Sequence, residues 1–302
     1  MKKMLVAGGS GFVGEPLVRR LASRGDEVAV LTRNPSNVHA GRALLWNPPY
    51  EESWTEEVAC ADVVINLAGE NVGGGRWTEA RKKGVMESRV AATSALVAAM
   101  SQNPDKHRTF ISASAIGIYG NRSDEQLDEN ADAGTGFLTE VTQRWEELAR
   151  AAEPFARVVI LRLGIVLAAN GGALAKLLLP FRLGAGGPLG TGRQWMSWID
   201  REDVLRMIEW SIDHDSARGI YNVTAPNPAT NRDFAHALGR ALHRPSILPT
   251  PAFALRLALG SDMADEMLLG GQRVIPNRAI AEGFEFTHPR LDEALRHALC
   301  VK

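Results

Sequence analysis

Three glycines near the start of the chain have the spacing of a phosphate-binding turn. Gly8, Gly11 and Gly14 follow an apolar run, Met4–Ala7, and precede a helical pattern. A pyrophosphate needs bare backbone and the free N–H groups of a helix N-terminus, so this pattern at the first strand of a βαβ series predicts a dinucleotide site. The alternative is a tight turn without a ligand. The residues predicted to bind the cofactor here are Gly8, Ser10, Gly11, Phe12, Val13 and Gly14.

The end of the second apolar run, Glu27–Leu31, indicates which dinucleotide binds. A site for NAD usually places an Asp or Glu about 20 residues after the glycines, to hold the ribose 2′-hydroxyl. This chain has Thr32 and Arg33 there instead. A guanidinium pairs with a 2′-phosphate through charge-assisted hydrogen bonds, so Thr32 and Arg33 predict NADP(H). A solvated surface arginine is the alternative.

Composition excludes several classes of protein. The 302 residues carry 34 basic and 35 acidic side chains, which gives no electrostatic case for binding nucleic acid or a membrane surface. Cys60 and Cys300 match no metal or disulfide pattern, and the seven histidines lack ligand spacing, so we expect no catalytic metal. The apolar run before Gly8 is too short for an export signal. We expect a cytoplasmic protein with a small-molecule substrate.

Short apolar runs that alternate with helical patterns predict an α/β fold. Runs buried on both faces are typical of parallel strands covered by helices, so we expect a Rossmann-type, doubly wound parallel sheet. The predicted strands are Met4–Ala7, Glu27–Leu31, Ala43–Trp46, Asp62–Ala68, Thr109–Ser112, Val158–Leu163 and Gly219–Val223. The predicted helices are Phe12–Arg24, Thr78–Met100, Thr139–Ala152, Ala173–Arg182, Arg201–Ile212 and Asn231–Leu242.

The residue pattern of the sequence changes after residue 165. Glycine-rich loops surround the helix at Ala173–Arg182, and a Pro-punctuated, then helical, tail begins at Pro249. We expect residues 1–165, continued by about 200–245, to form the nucleotide-binding domain. Residues 166–199 and 246–302 are expected to form a smaller, mostly helical C-terminal region that selects the substrate.

Three further motifs resemble the extended short-chain dehydrogenase/reductase family. They are Asn66–Gly69, Ser112–Gly120 and Trp198–Val204. The segments Gly75–Thr78 and Gly192–Trp198, with the tail Pro251–Leu299, are similar to its atypical branch of epimerase family proteins. The resemblance implies that further residues line the cofactor: Leu67, Ala68, Gly69, Ser112, Ala113 and Leu163.

The resemblance does not extend to the family's acid/base groups. The family transfers hydride with a Ser, a Tyr-x-x-x-Lys pair and an Asn, where Lys lowers the pKa of the Tyr. Ser114 fits the Ser position. If Glu146 matches the acid that closes the motif, Leu138 and Thr142 stand where Tyr and Lys belong, and Arg89 replaces the Asn.

Two interpretations follow. In the first, the chain is an NADP(H)-dependent oxidoreductase or epimerase acting on a small carbonyl or hydroxyl substrate, for which the family resemblance implies a nucleotide-sugar-like compound. Ser114, Tyr119 and Glu70 are then the catalytic candidates, with Arg76, Lys82 and Arg89 nearby. In the second, the chain binds NADP(H) without turnover, as a redox-sensing or regulatory module.

Each candidate also has a structural interpretation. Glu70 would be a loop carboxylate, and Tyr119 a packing residue whose hydroxyl closes a loop. Arg162 and Arg193 would either contact an anion or a sugar hydroxyl of the substrate or have a structural role. The resemblance also implies a homodimer paired through the helices after strands four and five, of which the first is rich in small residues: Ala91, Ala92, Ala95, Ala98 and Ala99.

Overall fold

Seven parallel strands form the central sheet in a computed structural model of the chain, which describes residues 1–47 and 54–301. The strands, in chain order, are β1 Lys3–Ala7, β2 Glu27–Thr32, β3 Arg42–Leu45, β4 Val63–Asn66, β5 Thr109–Ala115, β6 Gln126–Leu127, β7 Arg157–Leu163, β8 Ile165–Leu167, β9 Trp195–Met196, β10 Trp198–Asp200, β11 Gly219–Val223, β12 Ala229–Thr230 and β13 Arg273–Val274. The order in the sheet is β11-β7-β5-β4-β1-β2-β3. These seven are the segments that the sequence predicts, with small differences at their ends.

Helices connect the strands and cover both faces of the sheet. They are α1 Gly14–Ser23, α2 Trp54–Cys60, α3 Glu79–Ser101, α4 Phe137–Arg150, α5 Gly172–Arg182, α6 Arg201–Asp213, α7 Asn231–Leu242, α8 Ala252–Leu259, α9 Ser261–Ala264, α10 Asn277–Ala281 and α11 Leu291–Leu299. A 3₁₀ turn spans Ile116–Tyr119, and a π-helical turn spans Asp265–Leu269. In the described part of the chain, no helix is both long and apolar enough to span a bilayer.

The two faces of the sheet bury separate apolar clusters. On one face Leu17 of α1 and Val204 of α6 pack against strand residues, and on the other Val58 of α2 and Leu96 of α3 do so. Strand residues such as Val6 and Leu5 are almost fully buried, which explains why the runs lack polar alternation. The Rossmann-type, doubly wound fold is therefore confirmed.

The order of the strands reverses beside β1, and this reversal places the site. Ala7 at the end of β1 pairs with Leu31 of β2 on one side and Asn66 of β4 on the other. Chain connections leave in opposite directions from β1 and β4, which opens a crevice at their carboxyl ends. The glycine turn after β1 and the motifs after β4 and β5 thus meet at one edge.

The C-terminal region has its own apolar cluster. Leu174 of α5, Leu238 of α7 and Leu295 of α11 are buried together. The region is mostly helical, as expected. α7 also contributes to this cluster, and the division of the chain into domains stays a prediction.

Candidate functional site

The glycine turn is built so that side chains cannot enter it. Gly11 N donates to Gly8 O at 3.0 Å, which closes the turn. Gly8 has φ +78°, and a Cβ there would lie 2.8 Å from the backbone of Leu67. A Cβ at Gly14 would lie 2.2 Å from Gly8 O. Each glycine is therefore required by close backbone contact, and the turn presents bare backbone at the crevice.

The first turn of α1 is left open towards this crevice. The helix begins at Gly14, later than the predicted Phe12, with Val13 at the N-cap position. Among the described residues, no side chain caps this N-terminus. Its backbone N–H groups and the positive end of the helix dipole suit an anion such as pyrophosphate.

Phe12 supports the turn from outside. Its ring fills the space beside Gly171, where a Cβ would come within 2.3 Å of it. The Arg201 guanidinium lies 5.2 Å from the centroid of the same ring. The side chain of Phe12 thus packs the glycine turn against Gly171 and Arg201.

Thr32 and Arg33 lie at the carboxyl end of β2, as the sequence predicts. The Thr32 hydroxyl accepts from Asn34 N at 3.2 Å and lies 3.4 Å from the Ser10 hydroxyl, which joins β2 to the glycine turn. Arg33 is exposed, and no described carboxylate pairs with it. An exposed guanidinium without an internal partner is available for a phosphate.

The turn after β4 is shaped by Asn66 and Arg89. The buried Asn66 side chain accepts from Ala68 N at 3.2 Å and donates to Thr93 Oγ1 at 2.9 Å. Arg89 Nη1 donates to Glu70 O at 3.1 Å, and a Cβ at Gly69 would lie 3.0 Å from Arg89 Cζ. Leu67, Ala68 and Gly69 therefore form a turn that is held in place by the side chains of Asn66 and Arg89.

Arg89 is a buried cation that stands where the family has Asn. Its guanidinium stacks 4.9 Å from the centroid of the Trp145 ring, and its polar contacts are backbone carbonyls. Burial lowers the pKa of Arg89 to about 10, so the group remains charged at neutral pH. Its role in the structure is to hold the β4 turn against α3.

Glu70 lies apart from the other catalytic candidates. Its carboxylate forms an ion pair with Arg81 and approaches Gly84, both on α3. Its backbone N donates to Ser88 Oγ at 3.0 Å. Glu70 therefore helps to hold the turn after β4 against α3, as the loop-carboxylate interpretation predicts.

Ser114 and Tyr119 belong to one buried network centred on an ion pair. Ser114 Oγ donates to Glu146 Oε1 at 2.7 Å. Arg162 donates to both oxygens of Glu146, at 2.8 and 2.9 Å, and to the Tyr119 hydroxyl at 2.8 Å. All four side chains are at most 5% exposed. The sequence names Glu146 only as the end of a motif, yet it is the hub of this network.

The surroundings of Tyr119 argue against a role as proton donor or acceptor for a substrate. Its hydroxyl donates to Asn222 Oδ1 at 2.7 Å, lies 3.0 Å from Asp128 O, and is sealed from solvent. Burial raises the pKa of Tyr119, and the neighbouring Arg162 only partly offsets this. A catalytic Tyr needs a lowered pKa and access to the substrate. These contacts favour the structural interpretation of Tyr119, and its catalytic role stays a prediction.

The helix that carries the Tyr-x-x-x-Lys pair in the family, α4, has no proton-transferring side chain at the two matching positions, Leu138 and Thr142. Leu138 lies beside Gly117, and the Thr142 hydroxyl donates to Leu138 O at 2.7 Å. Glu266, from the C-terminal region, accepts from Phe137 N and Leu138 N, both at 3.0 Å. The sequence gives no signal for this cap because Glu266 lies 129 residues from Phe137.

The remaining predicted cofactor residues lie on β5 and β7. Ser112 and Ala113 are buried in β5, where Ser112 pairs with Asn66 of β4. Leu163 ends β7 and pairs with Ala115 and Val223. These residues line the same carboxyl edge of the sheet as the glycine turn, and Arg162 beside them is internal to the network.

Comparison with known proteins assigns the chain to a family. Residues 4–224 match the NAD dependent epimerase/dehydratase family, and residues 250–298 match a domain of unknown function (DUF1731). Epimerase family protein ML0860 of Mycobacterium leprae is 42% identical over 295 residues, covering 97% of this chain and 94% of that protein.

Solved structures agree with this assignment. The crystal structure of human epimerase family protein SDR39U1 with NADPH is 34% identical, covers 98% of both chains and superposes with a TM-score of 0.87. A nucleoside-diphosphate sugar epimerase from Corynebacterium glutamicum is 30% identical with a TM-score of 0.76, over 99% of this chain and 58% of that one. With its glycine turn, parallel sheet and helical C-terminal region, the chain belongs to the NAD dependent epimerase/dehydratase family, and within it to the epimerase family proteins.

Proposed function

We propose that the chain binds NADP(H) and acts as an oxidoreductase or epimerase on a small carbonyl or hydroxyl substrate. The observation that supports NADP(H) is the bare glycine turn with Arg33 beside it, which is exposed and has no carboxylate partner among the described residues. The turn accommodates the pyrophosphate, and Arg33 supplies the charge that a 2′-phosphate needs. The human relative with NADPH supports this choice of cofactor.

The substrate proposed is of the nucleoside-diphosphate sugar class. The name of the Corynebacterium relative supports this class. The substrate would lie between the carboxyl edge of the sheet and the C-terminal region, where open α/β sheets bind ligands. In this cleft Ser114 is the group that we propose to polarise a carbonyl. Its hydroxyl donates to Glu146 in the present structure, so it must release that hydrogen bond when the substrate binds.

A second candidate function is binding of NADP(H) without turnover. It is favoured by the specific replacement of the Tyr–Lys pair by Leu138 and Thr142, neither of which can transfer a proton to a substrate. Positioned acid or base catalysis typically contributes 10²–10⁴-fold to a rate, so any turnover is expected to be slow on unactivated alcohols.

Deuteride transfer separates the two functions. The protein is incubated with 4-deuterated NADPH of either configuration and a panel of carbonyl compounds and nucleoside-diphosphate sugars, and deuterium in the product is measured. The oxidoreductase proposal predicts transfer from one face only, lost in Ser114→Ala and retained in Ser101→Ala, an exposed serine at the end of α3. Tight NADPH binding with no transfer to any substrate favours the second candidate.

The homodimer is also a proposal. On α3, Ala92 and Ala99 are buried in the protein's own core, whereas Ala98 is exposed and Ala91 is partly so. This leaves a narrow stripe of small residues for a second copy. Sedimentation at micromolar concentration should give twice the monomer mass, and a monomer would reject the pairing.

A further inference from the structure

Three side chains with metal-ligating atoms meet at one place outside the site described above. Asp200, His288 and His297 each offer one ligand atom, and these atoms all lie within 4.8 Å of one another. His297 Nδ1 lies 2.9 Å from Asp200 Oδ2. The sequence predicts no metal because its histidines lack ligand spacing, but Asp200 and His297 are 97 residues apart and only the fold joins them.

Each of the three side chains is held in position by a separate contact. Asp200 ends β10 and is 1% exposed; its Oδ1 accepts from Glu202 N at 2.7 Å and so caps α6. The His288 backbone N donates to Asp203 Oδ2 at 3.0 Å. His297 lies on α11, and its ring stacks on that of His288 with centroids 4.2 Å apart and planes 23° apart.

We propose that Asp200, His288 and His297 form a binding site for a divalent transition metal of the zinc class. Two imidazoles and one carboxylate are a donor set that suits Zn²⁺, Co²⁺ or Ni²⁺. The second oxygen of Asp200 is hydrogen-bonded by a backbone N–H, which is the outer support that ligating carboxylates usually have. The His297 side chain is 48% exposed, so water can complete the coordination.

The charges around the cluster are compatible with a cation. Asp203 of α6 already accepts from Thr287 N and His288 N and pairs with Arg206, so it positions the His288 loop and is not a ligand. Glu293 of α11 pairs with Arg290. Asp200 is therefore the carboxylate of the cluster, and it would neutralise one of the two positive charges of a divalent cation.

The site would connect two parts of the fold. Asp200 belongs to the β10–α6 junction, next to Arg201, which contacts the glycine turn through Phe12. His288 and His297 belong to the last helical segment of the chain. A metal held by all three would therefore clamp the C-terminal segment to the α6 junction, a structural role that is independent of the proposed reaction.

Metal titration of the chelator-treated protein tests the proposal. Calorimetry with Zn²⁺, and visible absorption with Co²⁺, should show one equivalent bound. His288→Gln and His297→Gln should each weaken Zn²⁺ binding at least about tenfold, as loss of ligands or their supports does. His107→Gln, a histidine outside the cluster, is the matched control and should bind as the original chain does.

A further readout keeps the test decisive. Zn²⁺ should raise the melting temperature of the original chain but not of the doubly substituted His288→Gln/His297→Gln chain, whose folding is checked by NADPH binding and circular dichroism. Absence of a one-equivalent site, or a site that survives in the double variant, would overturn the proposal.

Discussion

The glycine turn and the β5–α4 edge lie beside each other on the sheet, yet they use their polar groups in opposite ways. Around the turn, the first N–H groups of α1 lack a side-chain cap among the described residues, and Arg33 is exposed without a carboxylate partner. At the β5–α4 edge, the hydroxyls of Ser114, Tyr119 and Thr142 are all bonded inside the protein.

This difference shows which function each region can perform in its present form. Donors without internal partners are available to a ligand, whereas donors already satisfied must break a hydrogen bond first. The nucleotide half of the site is therefore ready to bind, and the chemical half has become part of the framework. Four experiments test this difference between the two regions.

The largest effect is expected at the centre of the buried network. Arg162→Met leaves the buried Glu146 carboxylate with only the Ser114 hydroxyl and the more distant Arg150 guanidinium, 3.8 Å away. The free energy of unfolding, measured by urea denaturation, should fall by about 3 kcal/mol, the lower end of the range for a broken buried ion pair. Arg144→Met is the matched control, because Arg144 pairs with Glu147 on the same helix but both are exposed. That loss should be within about 1 kcal/mol.

The double variant Glu146→Leu/Arg162→Met tests whether the loss of stability comes from the unpaired buried charge. Removing both charges leaves no unpaired buried charge, although the Ser114 hydroxyl loses its acceptor, so part of the lost stability should return. A loss below about 1 kcal/mol in Arg162→Met alone would mean that the network is not the framework element described here.

The fold was predictable from this sequence to a greater extent than the network. Strands buried on both faces have a local signature, since runs such as Val28–Leu31 contain only apolar residues. The glycine turn is also local, because its constraint acts between Gly8 and Gly14. The Glu146–Arg162 pair and the Glu266 cap join segments that are distant in sequence. A single Glu or Arg in a sequence does not indicate which residue it will contact, so these pairs could not be predicted.

The second-largest effect is expected beside the glycine turn, at Arg33. Arg33→Ala should weaken NADPH binding by about 1–3 kcal/mol and leave NADH binding nearly unchanged, because only NADPH has the 2′-phosphate. Fluorescence titration of both cofactors measures the two affinities. Arg19→Ala, an exposed arginine on α1 paired with Glu15, is the control. Equal affinities of the original chain for NADPH and NADH would remove Arg33 from the site.

The third test is the titration of Tyr119. The chain has three tyrosines, so Tyr50→Phe/Tyr221→Phe leaves Tyr119 alone. Because burial raises the pKa of Tyr119, its ultraviolet titration should lie above the value of about 10 for a free tyrosine. The folded protein then holds the proton more tightly, so this contribution to stability is present below about pH 10 and is lost as the pH rises through the folded pKa.

The opposite result would restore Tyr119 as a catalytic candidate. Ionisation near neutral pH would show a tyrosine activated for proton transfer. Tyr221 provides an internal comparison, since burial and its hydrogen bond to Glu282 raise the pKa of Tyr221 to about 12. Retaining Tyr221 in a second variant should therefore add a titration step at higher pH.

The smallest effect distinguishes two threonines on α4. The Thr139 hydroxyl donates to Gly117 O at 3.1 Å and so ties the helix to the turn after β5, whereas the Thr142 hydroxyl bonds only to carbonyls of its own helix. Thr139→Val should cost about 1 kcal/mol of unfolding free energy, and Thr142→Val should cost less, because helix carbonyls keep their backbone partners. Neither change should alter NADPH affinity. If Thr142→Val reduced deuteride transfer without changing stability, the position of the missing Lys would still serve chemistry, and the contrast between the two regions would fail at that residue.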